Sequence, residues 1–437
     1  MSIRILLLGS GGREHAIASK LAESKKCSHL YIAPGNAGTA ALGTNIDLNV
    51  SDFDAIRQCV INLGIKMVVV GPEVPLVEGI VDYFAADEQL ANIAVIGPSK
   101  EGAMLEGSKD YAKAFMTEHG IPTARYGTFD RFTINKGIDF LHNLSAPYVL
   151  KADGLAAGKG VLILDTLDEA EASLHEMLEK QLFGKASQQV VVEEYLDGIE
   201  LSVFVLTDGR HYKILPTAKD YKRIGEGDTG PNTGGMGSIS PVPFADKNFM
   251  QKVEQRIVLP TIRGLRKQKT DYRGFIFLGL MAVKGPDGLD PYVIEYNVRM
   301  GDPETQSVFP RIKTDMVDLL EHTWNKTLET IPLDIDSRTA ASVVLAAEGY
   351  PGSYAKGMPI QGLAECKECM VFHAGTANGN DNKTIVTNGG RVLCVTALSD
   401  TLPTALLNCY QAADKITWDG RYMRRDIGQD LLRLSVE

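Results

Sequence analysis

Residues 149–161 read VLKADGLAAGKGV, a glycine-rich loop set between two apolar runs. The pair Gly158-Lys159 suggests a phosphate-binding P-loop, but the spacing denies it. A P-loop has four residues between its glycines, a Ser or Thr after the lysine, and a helix behind it. Here three residues separate Gly154 from Gly158, Gly160 follows the lysine, and Val161–Leu164 reads as a second strand. Two strands joined by such a flap can lay backbone N–H groups over phosphates, with Lys151 supplying a point charge.

Downstream stretches supply what a phosphate flap needs. In VIEYNVRMGDPE, residues 293–304, Glu295 and Asn297 have the i, i+2 spacing that puts both side chains on one face of a strand. A carboxylate and an amide oxygen are hard ligands suited to magnesium, which takes its other oxygens from water and nucleotide phosphates. Arg299 continues that face and offers a planar fork to a phosphate or carboxylate. Asp302 or Glu304 can cap the segment after the Gly301-Asp302-Pro303 turn. In VVVEEYLDGIELS, residues 190–202, an apolar strand runs into an extended hinge that can read an adenine edge, and Glu200 is placed to hold ribose hydroxyls. The stretch 219–241 carries Asp220, Lys222 and Arg223 ahead of five glycines between Gly225 and Gly235. It predicts a long, mobile loop without secondary structure that covers a substrate.

Upstream, the first hundred residues alternate strand and helix. Strands are predicted at 3–8, 29–33, 66–70 and 93–96, and helices at 14–24, from a Ser51 or Asp52 cap to 63, at 77–86 and at 99–119. That order predicts an open parallel sheet with ligands at its carboxyl ends. The loop GSGGREHA opens a helix and predicts an anion site. It is not a dinucleotide fingerprint, because Glu14 stands where the third glycine belongs. Antiparallel strands are predicted at 200–206 with 212–216 and at 275–283 with 292–296, and a long helix at 247–268.

Composition bounds the rest. A chain of 437 residues with 44% hydrophobic content predicts about three domains. A net charge of −10 argues against nucleic-acid and anionic-membrane partners. No run is long enough for a signal peptide or a membrane span, which predicts a soluble, cytoplasmic protein. Cys366 and Cys369 have CxxC spacing with no second pair, and read as ordinary thiols.

Taken together, VLKADGLAAGKGV, VVVEEYLDGIE, DTGPNTGGMG and IEYNVRMGDPE resemble the ATP-grasp superfamily, in its phosphoribosylamine–glycine ligase branch. GSGGREHA, APGNAGTA, VGPEVPLVEG, GPSKEGAMLEGSK, FHAGT and TNGGRVLCVTALS extend the likeness over nearly the whole chain. The resemblance implies an α/β and α+β multidomain plan. A Rossmann-like N-terminal domain would span 1–102, an ATP-grasp body 103–326 with a hinged lid about 123–194, and a C-terminal α/β domain 327–437. It implies ATP, glycine and 5-phosphoribosylamine as substrates, ligated through a glycyl phosphate, with magnesium or manganese as the metal. Transient contact with neighbouring purine-pathway enzymes is the implied partner.

By matching motif, Lys109, Lys151, Gly154, Gly158 and Gly160 should meet nucleotide phosphates. Glu193 and Leu196 should flank adenine, Glu200 the ribose, and Glu295 and Asn297 the metal. Gly11, Gly12, Arg13, Glu14, Pro72 and Glu73 should meet the phosphoribosyl group. Asp220, Asn232, Gly234, Gly235, Arg299 and Asp302 should hold substrate, with Arg299, Lys151 and Asp220 acting in catalysis. One departure stands out: the strand before Glu295, GFIFLGLMAVK, has no acid for a second metal. A carboxylase of the same superfamily and a nucleotide sensor are the competing readings.

Overall fold

The structure, a computed structural model, describes residues 2–156, 160–381 and 383–434. Strand Ile3–Gly9 carries the fully buried run Ile5 to Leu8 and lies between Cys27–Pro34 and Met67–Val70, parallel to both. Ala94–Pro98 joins the far side of Met67–Val70, also parallel. Burial on both faces is why Ile5 to Leu8, Met67–Val70 and Ala94 to Ile96 read as continuous apolar runs. The helix Phe53–Leu63 starts at an Asp52 cap and stops at Gly64 in the left-handed region.

Two predicted helices are each broken in two. The one placed at 77–86 is Glu73–Glu78 followed by Ile80–Ala86, because Gly79, at φ 100°, ends the first piece. The one placed at 99–119 is Lys100–Gly107 followed by Lys109–Glu118. Ser108 is extended between them and its hydroxyl caps the second through the Tyr111 N–H. The helix predicted over 247–268 runs as Lys247–Val253 and Leu259–Lys267, with a π turn at Glu254–Val258 between.

The antiparallel strands are built onto the parallel ones. Tyr272–Gly285 pairs with Gly198–Thr207 on one side and Gly288–Asn297 on the other, and its first residues pair with Pro98 and Gly97. Among the described residues this gives one nine-stranded sheet running through both halves. The end of Gly288–Asn297 therefore lies on the same edge as the carboxyl ends of the parallel strands. A separate four-stranded sheet, in the order Tyr126–Asp130, Gln189–Glu194, Tyr148–Ala152, Val161–Leu164, carries the glycine flap. Helices Ile134–Leu141 and Leu167–Glu179 close its own small core, which includes Leu150, Leu174 and Val192.

The glycine-rich stretch corrects the prediction of a long structureless loop. Arg223–Gly225 and Thr229–Asn232 pair as a hairpin. Lys219–Asp220 and Gly237–Ser240 enter a sheet with Thr339–Ala347, Arg391–Ser399 and Met370–His373. Glycines that look like flexibility in one dimension are here close approaches in three. A Cβ on Gly237 would lie 2.7 Å from the Ser342 carbonyl, and one on Gly235, at φ +110°, would lie 2.4 Å from Pro303 Cδ. Among the described residues no helix is long and apolar enough to cross a membrane.

Candidate active site

The centre of the site is set by strand register. Gly279 lies opposite Ser202 on one side and Glu295 on the other, Phe277 lies opposite Asn297, and Met281 lies opposite Glu200. Opposed residues share a face, so Glu200, Glu295 and Asn297 project together. Tyr296 and Val298 point the other way and are 3% and 1% exposed, which is the alternation the sequence predicts. Gly279 also explains the missing acid. A Cβ there would lie 2.6 Å from Glu295 Cγ, so the strand is bare where the Glu295 side chain crosses it.

Lys222 reaches into this acid cluster. Its ammonium is paired with Glu200 and lies 3.7 Å from Glu295 Oε1. Burial alone would lower the Lys222 pKa, but Glu200, Glu295 and Asp220 hold it well above the usual lysine value. Burial would raise Glu295, and Lys222, Lys151 and Lys109 bring it below the ordinary carboxylate range instead. Burial pushes Asp220 up to about 6, with Lys222 opposing and Glu200 adding to the rise. Glu304 rises further, to about 8, from burial and the neighbouring Asp220. Neither Asp302 nor Glu304 caps the helix Glu304–Val308 with its side chain, contrary to the sequence expectation. Asp302 instead accepts from Gln306 Nε2 at 2.7 Å, and Glu304 accepts from Ser202 Oγ at 3.3 Å.

Arg299 is held from three directions. It donates to Glu106 at 2.6 Å, to Asn297 Oδ1 at 3.0 Å and to Glu73 at 3.3 Å. Glu106 also accepts from the Val298 N–H at 2.8 Å, so one buried carboxylate fixes the backbone and the arginine just past the Glu295–Asn297 pair. Glu106 went unnoticed in the sequence, although it precedes Lys109 by three residues in a quoted motif.

A second group of charges gathers around Gly154 and Glu193. Lys109 donates to the Gly154 carbonyl at 3.2 Å, and Lys151 donates to the Ile294 carbonyl at 2.9 Å. The Glu193 carboxylate is 2% exposed and sits 3.0 Å from Lys151 and 3.0 Å from Lys113. Lys113 was also missed. It stands four residues after Lys109, on the same face of the helix Lys109–Glu118. Burial lowers Lys109, and it brings Lys113 down to about 8 with Glu193 opposing. Ala152 N–H donates to the Gly160 carbonyl at 2.8 Å, and Gly154 N–H to Ala186 at 3.3 Å, which fixes both ends of the flap. Gly158 lies outside the described residues. Leu196 is half-buried in the short connection after Gln189–Glu194.

The glycine loop at the first strand, expected to be an anion site, is lined by charged side chains of both signs. The Gly11 N–H already donates to Glu14 Oε2 at 2.7 Å, and Arg13 Nε donates to Glu14 Oε1 at 2.6 Å. Gly9 and Gly71 leave space for that carboxylate; a Cβ on Gly71 would lie 2.2 Å from Glu14 Oε1. Arg13 is charged among Glu14, Glu73 and Asp302, and all three raise its pKa against burial. Pro72 precedes the helix that begins at Glu73, and Gly12 packs on Gln306. Carboxylates and guanidinium groups in such a cluster suit a ligand carrying hydroxyls as well as phosphate.

The glycine-rich segment closes the site from the third side. Asn232 lies in the hairpin opposite Arg223. Gly234 N–H donates to the Tyr350 hydroxyl at 3.0 Å. Arg391 donates to the carbonyls of Gly234 at 2.6 Å and Asp302 at 2.7 Å, and its guanidinium is 3.3 Å from the Asp302 carboxylate. In the sequence Arg391 looks only like part of a turn. Another acidic group, Asp208, His211 and Glu329, lies elsewhere; Asp208 there accepts from three backbone N–H groups and reads as a loop cap.

Family models match in chain order: Phosphoribosylglycinamide synthetase, N domain, over residues 3–106, its ATP-grasp (A) domain over 107–305, and its C domain over 340–430. The chain belongs to the phosphoribosylglycinamide synthetase family. It is thereby an ATP-grasp ligase. A phosphoribosylamine–glycine ligase of Salmonella typhi is 45% identical over 430 residues, 98% of each chain. The crystal structure of the Thermotoga maritima phosphoribosylamine–glycine ligase superposes with a TM-score of 0.83 at 38% identity, covering 97% of this chain and 100% of that one. The biotin carboxylase domain of Hydrogenobacter thermophilus 2-oxoglutarate carboxylase shares the fold alone. It gives a TM-score of 0.70 at 16% identity, over 97% of this chain and 92% of that one.

Proposed function

We propose that this chain joins glycine to 5-phosphoribosylamine in purine synthesis, converting ATP to ADP and phosphate and forming glycinamide ribonucleotide. The observation that carries the reading is the meeting of three charged groups at one sheet edge. These are the lysines Lys109, Lys113 and Lys151 around Gly154 and Glu193, the same-face pair Glu295 and Asn297, and the Arg13–Glu14–Glu73–Asp302 cluster. Phosphoryl transfer needs charge neutralisation and alignment more than a protein nucleophile, and the first two groups provide both.

In this reading the glycine carboxylate attacks the γ-phosphorus of ATP and ADP leaves. The ribosylamine nitrogen then attacks the acyl carbon of the glycyl phosphate and expels phosphate. Lys109 and Lys151 contact nucleotide phosphates, with Gly154, Gly158 and Gly160 covering them. Lys113 and Lys151 hold Glu193, and the chain from Glu193 to Leu196 borders the adenine, with Glu200 toward the ribose. Glu295 and Asn297 fit a hard divalent cation, magnesium or manganese, which would neutralise phosphate charge there. Asp220, Asn232, Gly234 and Gly235 hold glycine near Arg299. Gly11, Gly12, Arg13, Glu14, Pro72, Glu73 and Asp302 receive the phosphoribosyl group. The boundaries 1–102, 103–326 and 327–437, the lid at about 123–194, a cytoplasmic location and transient contact with pathway neighbours belong to the same reading.

The test is ADP release with magnesium and ATP, adding glycine and phosphoribosylamine singly and then together. ADP that appears only with both supports the ligase. ADP that requires bicarbonate instead would transfer the protein to the carboxylases and overturn the substrate assignment.

A further inference from the structure

The Glu200–Glu295 pocket holds a cation of its own. We propose that the Lys222 ammonium is a resident counter-ion of the metal pocket, which a divalent cation must displace in order to reach Glu295. This rests on the reading of Glu295 and Asn297 as the metal ligands. Three observations support it. The ammonium is paired with Glu200 and lies 3.7 Å from Glu295 Oε1, so it occupies the space between the two carboxylates. The strand between those carboxylates offers only Gly279 and Met281 at the opposing positions, so it adds no acid of its own to hold a metal and the lysine together. The side chains of Lys222, Glu200 and Glu295 are 35%, 32% and 35% exposed, so an ion from solvent can reach them.

The backbone is arranged to let the side chain leave. The Lys222 carbonyl accepts from both the Thr233 N–H at 2.7 Å and the Thr233 hydroxyl at 2.8 Å, which pins the segment whatever the ammonium does. Asp220, already acting on Lys222 electrostatically, and the phosphates of an arriving nucleotide are the partners available to the displaced ammonium. Lys222 would thus couple metal entry to nucleotide entry: the metal meets a like charge in the free protein and loses that opposition once phosphates draw the lysine away.

The experiment measures Mn²⁺ binding to the full chain by electron paramagnetic resonance of the free ion, without and with ADP. Lys222→Met should bind Mn²⁺ without nucleotide on the order of tenfold more tightly than the unmodified protein, Lys222→Arg should match the unmodified protein, and ADP should narrow the gap. Lys222→Gln serves as the second neutral variant if the methionine is not accommodated, with circular dichroism checking both folds. Equal or weaker Mn²⁺ binding by the neutral variants would overturn the inference, as would a gap that ADP leaves unchanged. Glu295→Gln separates the two readings. Loss of Mn²⁺ binding in that variant upholds the metal site whatever Lys222 does, whereas undiminished binding would sink the metal site itself.

Discussion

At the residue scale, Asn297 gives the sharpest test of the site. Its amide oxygen shares a strand face with Glu295 and accepts from Arg299 at 3.0 Å, so it links the Glu295 carboxylate face to the arginine. Asn297→Ala should keep ATP binding and lose turnover by on the order of 10²-fold or more, measured as kcat at saturating magnesium. A kcat near that of the unmodified protein would remove Asn297 from the reaction. What could be read from the sequence at this scale was local. An i, i+2 pair on a strand declares its shared face, and Lys151 declares itself beside its glycines. Glu106 could not be found that way, because its partners Val298 and Arg299 lie 192 and 193 residues away. Gly279 was legible only as the absence of an acid; the Glu295 side chain that needs the space is seen only once the register is known.

At the element scale, the glycine-rich segment is held rather than loose. Arg391 grips it through the Gly234 and Asp302 carbonyls, joining the hairpin to the turn beyond Arg299. Arg391→Ala would remove both contacts, at a cost of about 1–3 kcal/mol if the part-buried Asp302 carbonyl stays unpaired, while the exposed Gly234 carbonyl can turn to water. The expected result is a KM for glycine raised on the order of tenfold, with kcat less affected. Unchanged KM with unchanged kcat would show that the grip is structural only. Strands and most helices were legible because apolar period and caps are local signals. The breaks at Gly79 and Ser108 were less so, since a left-handed glycine and a serine cap both also occur inside runs of helical pattern. The hairpin at 223–232 was hidden because Gly225 and Gly230 read as flexibility in the sequence, whereas in the fold they make room for Thr229 and Ile224 within the hairpin itself.

At the scale of the whole molecule, the N-terminal and C-terminal segments meet at a pair of buried histidines. His15 Nδ1 accepts from the His373 N–H at 2.7 Å, and Asn36 donates to the His373 carbonyl at 2.9 Å. Burial, with His373 adding, brings His15 down to about 3, and burial brings His373 down to about 4. Both pKa values fall on folding, so the unfolded chain binds more protons below about pH 6.5. The contact is therefore at full strength above that pH and is lost as pH falls toward 4. Between pH 7 and pH 5 the unmodified protein should lose about 1–2 kcal/mol more stability than His15→Gln, read from urea unfolding at the two pH values. Parallel pH dependence in the two proteins would show that His15 does not titrate against folding.

In the proposed reaction this site activates a carboxylate by phosphoryl transfer before an amine captures it. Glycine labelled with ¹⁸O in its carboxylate tests this directly, by mass analysis of the phosphate released during turnover with ATP and phosphoribosylamine. One ¹⁸O atom should be carried from glycine into each phosphate. Unlabelled phosphate alongside full product formation would contradict it.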